Sequence, residues 1–181
     1  MTSYPVANND SERVDFLKSL SILDSAPDRN FDRINALTQT IFEVPIAAVT
    51  LLDNDRQWFK CVIGIDADQQ HRDVAICNYT IMQDDIFEVT DLSLHPQLRD
   101  NPLVHGEPFL RYYAGTPLVV SGFKLGSLCI LDFVPRPALD ERKRKILKEL
   151  AALVVREITV QSIMKESLAL MSSRNGPELP P

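Results

Sequence analysis

Near its start the chain repeats apolar residues at three- and four-residue steps, and further on it changes to a period near two. Phe16, Leu17, Leu20 and Leu23 predict a short amphipathic helix that stops at Ser25-Ala26-Pro27. A second helix is expected from about Asp28, with Phe31, Ile34, Leu37, Ile41 and Phe42 on one side and Pro45 as its end. The run IAAVTLL then opens a hairpin that turns at Asp53-Asn54-Asp55 and returns as QWFKCVI. YYAGTPLVV, Ser121-Gly122 and KLGSLCILD form a second hairpin, in which Pro117 indicates an edge or a bulge.

Alternation places Ile46, Ala48 and Leu52 on one face of the first strand, and Ala47, Val49 and Leu51 on the other. In the last strand Leu125, Cys129 and Leu131 oppose Leu128 and Ile130 in the same way. A sheet with one wet face would alternate apolar with polar residues, so this sheet is expected to be covered on both sides. Helices can cover one side. Residues 64–111 are the candidate roof for the other, with a helix from Val74 to Met82, a strand from Ile86 to Val89 and a long loop-rich stretch. So long a connection inside a compact domain points to a binding loop or lid.

A long final helix begins near Asp140, where Leu139-Asp140-Glu141 supplies a cap and early acidic residues. Leu147, Leu150, Val154, Met164, Leu168 and Met171 fall on a seven-residue repeat that Glu157 and Gln161 interrupt, which points to a helical dimer. The expected division is a disordered leader over residues 1–10, a domain over 11–158, a helical extension over 159–172 and a disordered tail over 173–181.

The net charge of −6 gives no overall attraction for nucleic acid or anionic lipid. RKRK at 142–145 reads as a solvated helix face partly neutralised by Asp140, Glu141 and Glu149. No apolar run approaches the roughly 20 residues that span a bilayer, so no membrane partner and a cytoplasmic location are expected. Cys61, Cys77 and Cys129 are too few for a disulfide framework, and neither they nor His95 and His105 have metal-ligand spacing.

The strings ILDSAPDRNFDRI, VPIAAVTLLDNDRQWFKCVIGID, RDVAICNYTI, VTDLSLHPQLRDNPLV, LRYYAGTPLV and LGSLCILD, in this order, resemble the GAF domain of bacterial sensor histidine kinases and diguanylate cyclases over residues 13–158. The resemblance implies an α+β fold of PAS-like plan. A central antiparallel sheet of five or six strands would carry the terminal helices on one face and a roofed small-molecule pocket on the other. It also implies a sensory module without catalytic residues, dimerised through its N- and C-terminal helices, for an unidentified ligand; no cofactor is specified. Trp58, Cys77, Ile81, Asp91, Asn101, Arg111 and Tyr113 are the candidate pocket residues.

Cys77 has two readings. His71 and Arg72 lie just upstream, where a cation near a helix start would lower a thiol pKa. Against that, a free cysteine on an apolar helix face is usually a small buried hydrophobe. The segment 104–110, where bilin-binding members of the family carry their attachment cysteine, reads VHGEPFL and has none. A second function, resembling the free methionine sulfoxide reductases of the same fold, would use Cys77 but needs a second thiol within reach, and Cys61 and Cys129 lie in predicted strands. Cyclic nucleotides would want a glycine-rich turn or cationic cradle, and Arg111 is the one obvious cation at the expected pocket edge. A ligand-free dimerisation module is the third reading. For Asp91, Asn101 and Arg111, pinning the roof through turn caps and a pairing of the arginine with an acid is weighed against direct ligand contact.

Overall fold

A computed structural model describes residues 4–174. Six strands form one sheet in the order β3-β2-β1-β6-β5-β4: β1 Ile46–Leu52, β2 Arg56–Ile63, β3 Gln69–His71, β4 Phe87–Val89, β5 Tyr112–Val120 and β6 Phe123–Asp132. Every neighbouring pair is antiparallel. The helices are α1 Asp10–Ser19, α2 Arg29–Phe42, α3 Cys77–Thr80, α4 Pro102–His105 and α5 Glu141–Arg174, with 3₁₀ turns at Arg72–Val74 and Leu92–Leu94. This is the α+β architecture expected from the sequence.

Both faces of the sheet are buried, as the apolar-on-both-sides strands require. Ala47, Val49 and Leu51 of β1 share one core with Leu17 of α1, Phe31 of α2 and Leu147 and Val154 of α5. Leu17, Phe31 and Leu147 have no exposed surface, and each such burial contributes roughly 1.5–3 kcal/mol. Ile46, Ala48 and Leu52 face a second core made with Ile76, Leu92, Leu98, Val104 and Leu110 of the roof. The predicted split of β1 therefore holds residue by residue.

Two bulges shift the alternation elsewhere. The β1–β2 register slips between Val49 and Thr50, whose partners are Cys61 and Phe59, so Lys60 is the extra residue. The β5–β6 register slips likewise, and Leu125 is skipped. Leu125 consequently joins Leu128 and Ile130 on the helix side rather than Cys129 on the roof side.

The local expectations need five corrections. Leu37 and Ile41, expected on the core side of α2, are exposed, because the buried face of the helix runs through Phe31, Asn35, Thr38 and Phe42. Ordered chain begins before residue 11: the Asp10 carboxylate opens α1 and bonds Arg13 and Arg72, and the Tyr4 ring lies 5.2 Å from the Arg72 guanidinium. The helix expected over Val74–Met82 is only Cys77–Thr80, because Ala75 is extended and the Asn78 side chain donates to the Arg72 and Ala75 carbonyls. Helix α5 runs to Arg174, and residues 175–181 of the expected tail lie outside the described residues. Leu147, Leu150 and Val154 are buried in the core that α5 shares with the sheet, so the six-residue seam is not one free face; Met164, Leu168 and Met171 are exposed.

Candidate functional site

The roof is held down by side chains that bond main-chain groups. Arg72 is fully buried; it donates to both oxygens of Asp10, to Asn78 Oδ1 and to the Asp53 carbonyl, at 2.8–3.0 Å. Asn101 caps α4 by accepting from the Leu103 amide and ties α4 to the preceding segment by donating to the Val74 carbonyl. Arg111 donates to the carbonyls of Val104 and Leu110 at 2.8 and 2.9 Å. Asp91 accepts from the amide and hydroxyl of Ser93, closing the turn that starts at Leu92.

Between this roof and the sheet lies a cavity of about 210 Å³. The sheet contributes Ile46, Ala48, Gln57, Phe59, Gln70, Tyr113, Cys129 and Leu131, and the roof Ile65, Ala67, Ile76, Cys77, Leu103, Pro108 and Leu110. No charged side chain lines it. Gln57 and Gln70 are its side-chain amides, and among the described residues the buried Gln57 Oε1 has no hydrogen-bond partner, at a cost of about 1–3 kcal/mol.

Cys77, the first residue of α3, lines the cavity from the roof, and its sulfur meets a cluster of hydroxyls from β1, β5 and β6. Its sulfur accepts from Ser127 Oγ at 3.1 Å, Tyr113 Oη at 3.3 Å and Thr50 Oγ1 at 3.4 Å, and Cys129 Sγ is 4.0 Å away. Tyr113 Oη also pairs with Thr80 Oγ1 at 2.6 Å. Burial pushes the Cys77 thiol up, but its hydrogen bonds with Cys129, Ser127, Thr50 and Tyr113 outweigh it and bring it down to about 6. The Cys129 thiol moves up, because its hydrogen bond to Cys77 and its burial both favour the neutral form. Arg72 does not supply the cation expected beside Cys77, since its donors are spent on Asp10, Asn78 and Asp53. The sequence argument that strand residues leave Cys77 without a second thiol is also corrected: β6 delivers Cys129 to it.

A family model for the GAF domain matches residues 26–158. The chain belongs to the GAF domain family. It is 40% identical over 159 residues, 87% of its length, to the cyclic di-GMP phosphodiesterase PA2567 of Pseudomonas aeruginosa, of which it spans only 27%. It is similar in fold to the GAF domain of a phosphoenolpyruvate-protein phosphotransferase from Acinetobacter, with TM-score 0.59, 16% identity, and coverage of 85% of this chain and 95% of that one. It is similar also to the free methionine-R-sulfoxide reductase of Neisseria meningitidis, with TM-score 0.60, 16% identity, and coverage of 90% and 96%.

Of the seven residues singled out in the sequence, this GAF domain brings Cys77 and Tyr113 to the cavity wall. Trp58 lies on the opposite face, opposite Leu51 in the register and within the helix-side core. Ile81 is buried in the roof-side core but does not line the cavity. Asp91, Asn101 and Arg111 serve as anchors, and Arg111 bonds carbonyls rather than the acid expected for it. Gln57, Gln70 and Ala67 are not among the sequence candidates, and the sequence places Cys129 in its strand but not at the cavity. The legible sign for Gln57 was a polar residue on the same strand face as Phe59. Among the described residues no group of three or more His, Cys, Asp or Glu is placed to hold a metal ion, and no helix is long and apolar enough to cross a membrane.

Proposed function

We propose that this chain is a cytoplasmic sensory GAF module that binds a small uncharged molecule between its sheet and roof and relays occupancy through the terminal helices of a homodimer. The single observation that carries the reading is the uncharged cavity between sheet and roof. An apolar cavity of about 150 Å³ takes one benzene ring, so a cavity of about 210 Å³ suits roughly eight or nine non-hydrogen atoms. The absence of any lining cation argues against a phosphate-bearing ligand.

The route to the helices runs through β6. Cys129 faces the cavity, while its neighbours Leu128 and Ile130 pack in the core with Leu147 and Val154 of α5. A ligand that favours one roof position by differential affinity would shift α5 through these strands. Leu153, Val160, Met164 and Met171 are exposed at near-heptad spacing along α5, and Leu37 and Ile41 are exposed on α2, which supports a seam between two copies. Residues 11–158 would be the module and 159–172 the signalling extension. By analogy with the longer phosphodiesterase it resembles, the module would regulate an output domain.

The test pairs native mass spectrometry of freshly purified protein with thermal shift measurements. Indole is expected to raise Tm, cyclic AMP to leave it unchanged, and Ala67→Phe, which fills the cavity wall, to remove the indole response. A dimer mass with a retained neutral small molecule supports the reading. A monomer without any retained molecule, together with no response to indole, overturns it.

A further inference from the structure

We infer that Cys77 and Cys129, one from the roof and one from the sheet, form a dithiol pair in the cavity wall that is oxidised to a disulfide by small organic hydroperoxides. The inference rests on the cavity admitting small uncharged molecules. It adds a chemistry to that site which ligand binding does not require.

Three features carry it. The first is proximity: residues 52 apart in sequence hold their sulfurs at 4.0 Å, and among the described residues neither cysteine is disulfide-bonded. Cys61, the third cysteine, packs against the opposite core and its thiol is pushed up to about 12, chiefly by burial. The second is the direction of the hydroxyl protons. Tyr113 and Ser127 can both donate to Cys77 Sγ while Thr80 donates to Tyr113, Thr50 donates to either Cys77 or Ser127, and the Cys129 thiol donates to the Ala48 carbonyl, a set in which Cys77 need donate nothing. Donors converging on the sulfur favour the thiolate, the nucleophilic form, against the burial that opposes it. The third is the access route. Both Cys77 and Cys129 line the uncharged cavity, together with the side-chain amides of Gln57 and Gln70.

The chemistry balances without a cofactor. The Cys77 thiolate attacks the terminal oxygen of R–O–OH; the S–O bond forms, the O–O bond breaks, and the alkoxide leaves and takes a proton to become the alcohol. Sulfur is oxidised by two electrons to the sulfenic acid and the hydroperoxide is reduced. Cys129 then attacks the sulfenic sulfur; the S–S bond forms, the S–O bond breaks, and hydroxide leaves with the Cys129 proton as water. Closing 4.0 Å to a bonded separation of about 2 Å draws α3 onto β6, the strand that backs onto α5. Oxidation would therefore act on the same element as ligand occupancy.

The experiment uses the full reduced chain with tert-butyl hydroperoxide and, separately, hydrogen peroxide. The expected result is loss of two thiols, an intramolecular Cys77–Cys129 disulfide by peptide mapping, and a Cys61 that remains alkylatable after denaturation. In the folded protein tert-butyl hydroperoxide should react on the order of tenfold faster than hydrogen peroxide, and the preference should vanish in urea. The rate should rise with pH about a midpoint near 6, because the thiolate fraction grows as pH passes the depressed Cys77 value. Cys129→Ser should stop at a dimedone-trapped sulfenic acid on Cys77, and Cys77→Ser should leave Cys129 reduced. Intermolecular disulfides, oxidation of Cys61 first, or identical oxidant preference in folded and unfolded protein would each overturn the inference. A Tm response to indole with no thiol loss would overturn the redox chemistry alone and leave the ligand site standing.

Discussion

The two faces of the sheet are built by different means. On the helix side, long amphipathic elements lay apolar stripes against the strands, and Leu17, Phe31, Leu128, Leu147 and Val154 are sealed without remainder. On the roof side the helices are four residues long, too short to bring an apolar stripe of their own, and their positions are fixed by Arg72, Asn78, Asn101 and Arg111 bonding main-chain carbonyls. A stripe-built layer tends to close all the space beneath it. An anchor-built layer is held at points, and between the points it leaves a cavity. The cavity and the helix-side core are thus separated by one sheet thickness, and each should fail in its own way.

The sharpest way to break that difference is Arg72→Ala. The guanidinium is buried and binds both oxygens of Asp10, so truncation leaves a partly buried carboxylate with Arg13 as its remaining cation. A loss of about 3–5 kcal/mol is expected for breaking such a pair. Because the anchor belongs to the roof, hydrogen exchange should rise over 64–111 before it rises in α2 or α5, and indole binding should be lost with it. Uniform acceleration across the sheet and helices would contradict the point-anchored roof.

Leu147→Ala tests the other face. A fully buried leucine in a close-packed layer costs about 2–5 kcal/mol when cut back. Here urea unfolding should weaken as one transition, with the indole affinity of the folded fraction unchanged. The pair of variants separates the layers: one loses the site before the fold, the other loses stability and keeps the site.

This contrast also explains what was legible in the sequence. Period decides burial where strands are regular, so β1 could be partitioned from its seven residues; in α2 it finds Phe31 and Phe42 but also names Leu37 and Ile41, which are exposed, and misses the buried Asn35 and Thr38 because they are polar. Anchors carry no period. Arg72 reads as a surface cation upstream of Cys77 until the fold places Asp10 beside it from 62 residues away. The bulges at Lys60 and Leu125 each add one residue to the count, which turned Leu125 to the helix side, while Trp58, opposite Leu51, lies on the helix side as well. The proximity of Cys77 to Cys129 depends on the roof descending onto β6, and no spacing within either segment encodes it.

Gly115→Ala is the smallest and most local perturbation. Gly115 lies on the pocket face of β5 beneath the Tyr113 ring, and an added Cβ would sit 2.3 Å from Tyr113 Oη and 2.9 Å from Thr80 Oγ1. Both hydroxyls can give way only by leaving their positions, because the strand is paired on either side, to β4 and to β6. Overpacking of this kind costs about 1–3 kcal/mol. Its more telling effect is on Cys77: displacing Tyr113 Oη removes one of the donors that hold the thiol down at about 6, so the midpoint for its alkylation should rise. Gly122→Ala, at a turn with φ of 84° and nothing within reach of the new Cβ, is the control, carrying backbone strain alone and leaving the thiol midpoint where it was. If both substitutions left that midpoint unmoved, the hydroxyl cluster would not be what sets the sulfur's charge.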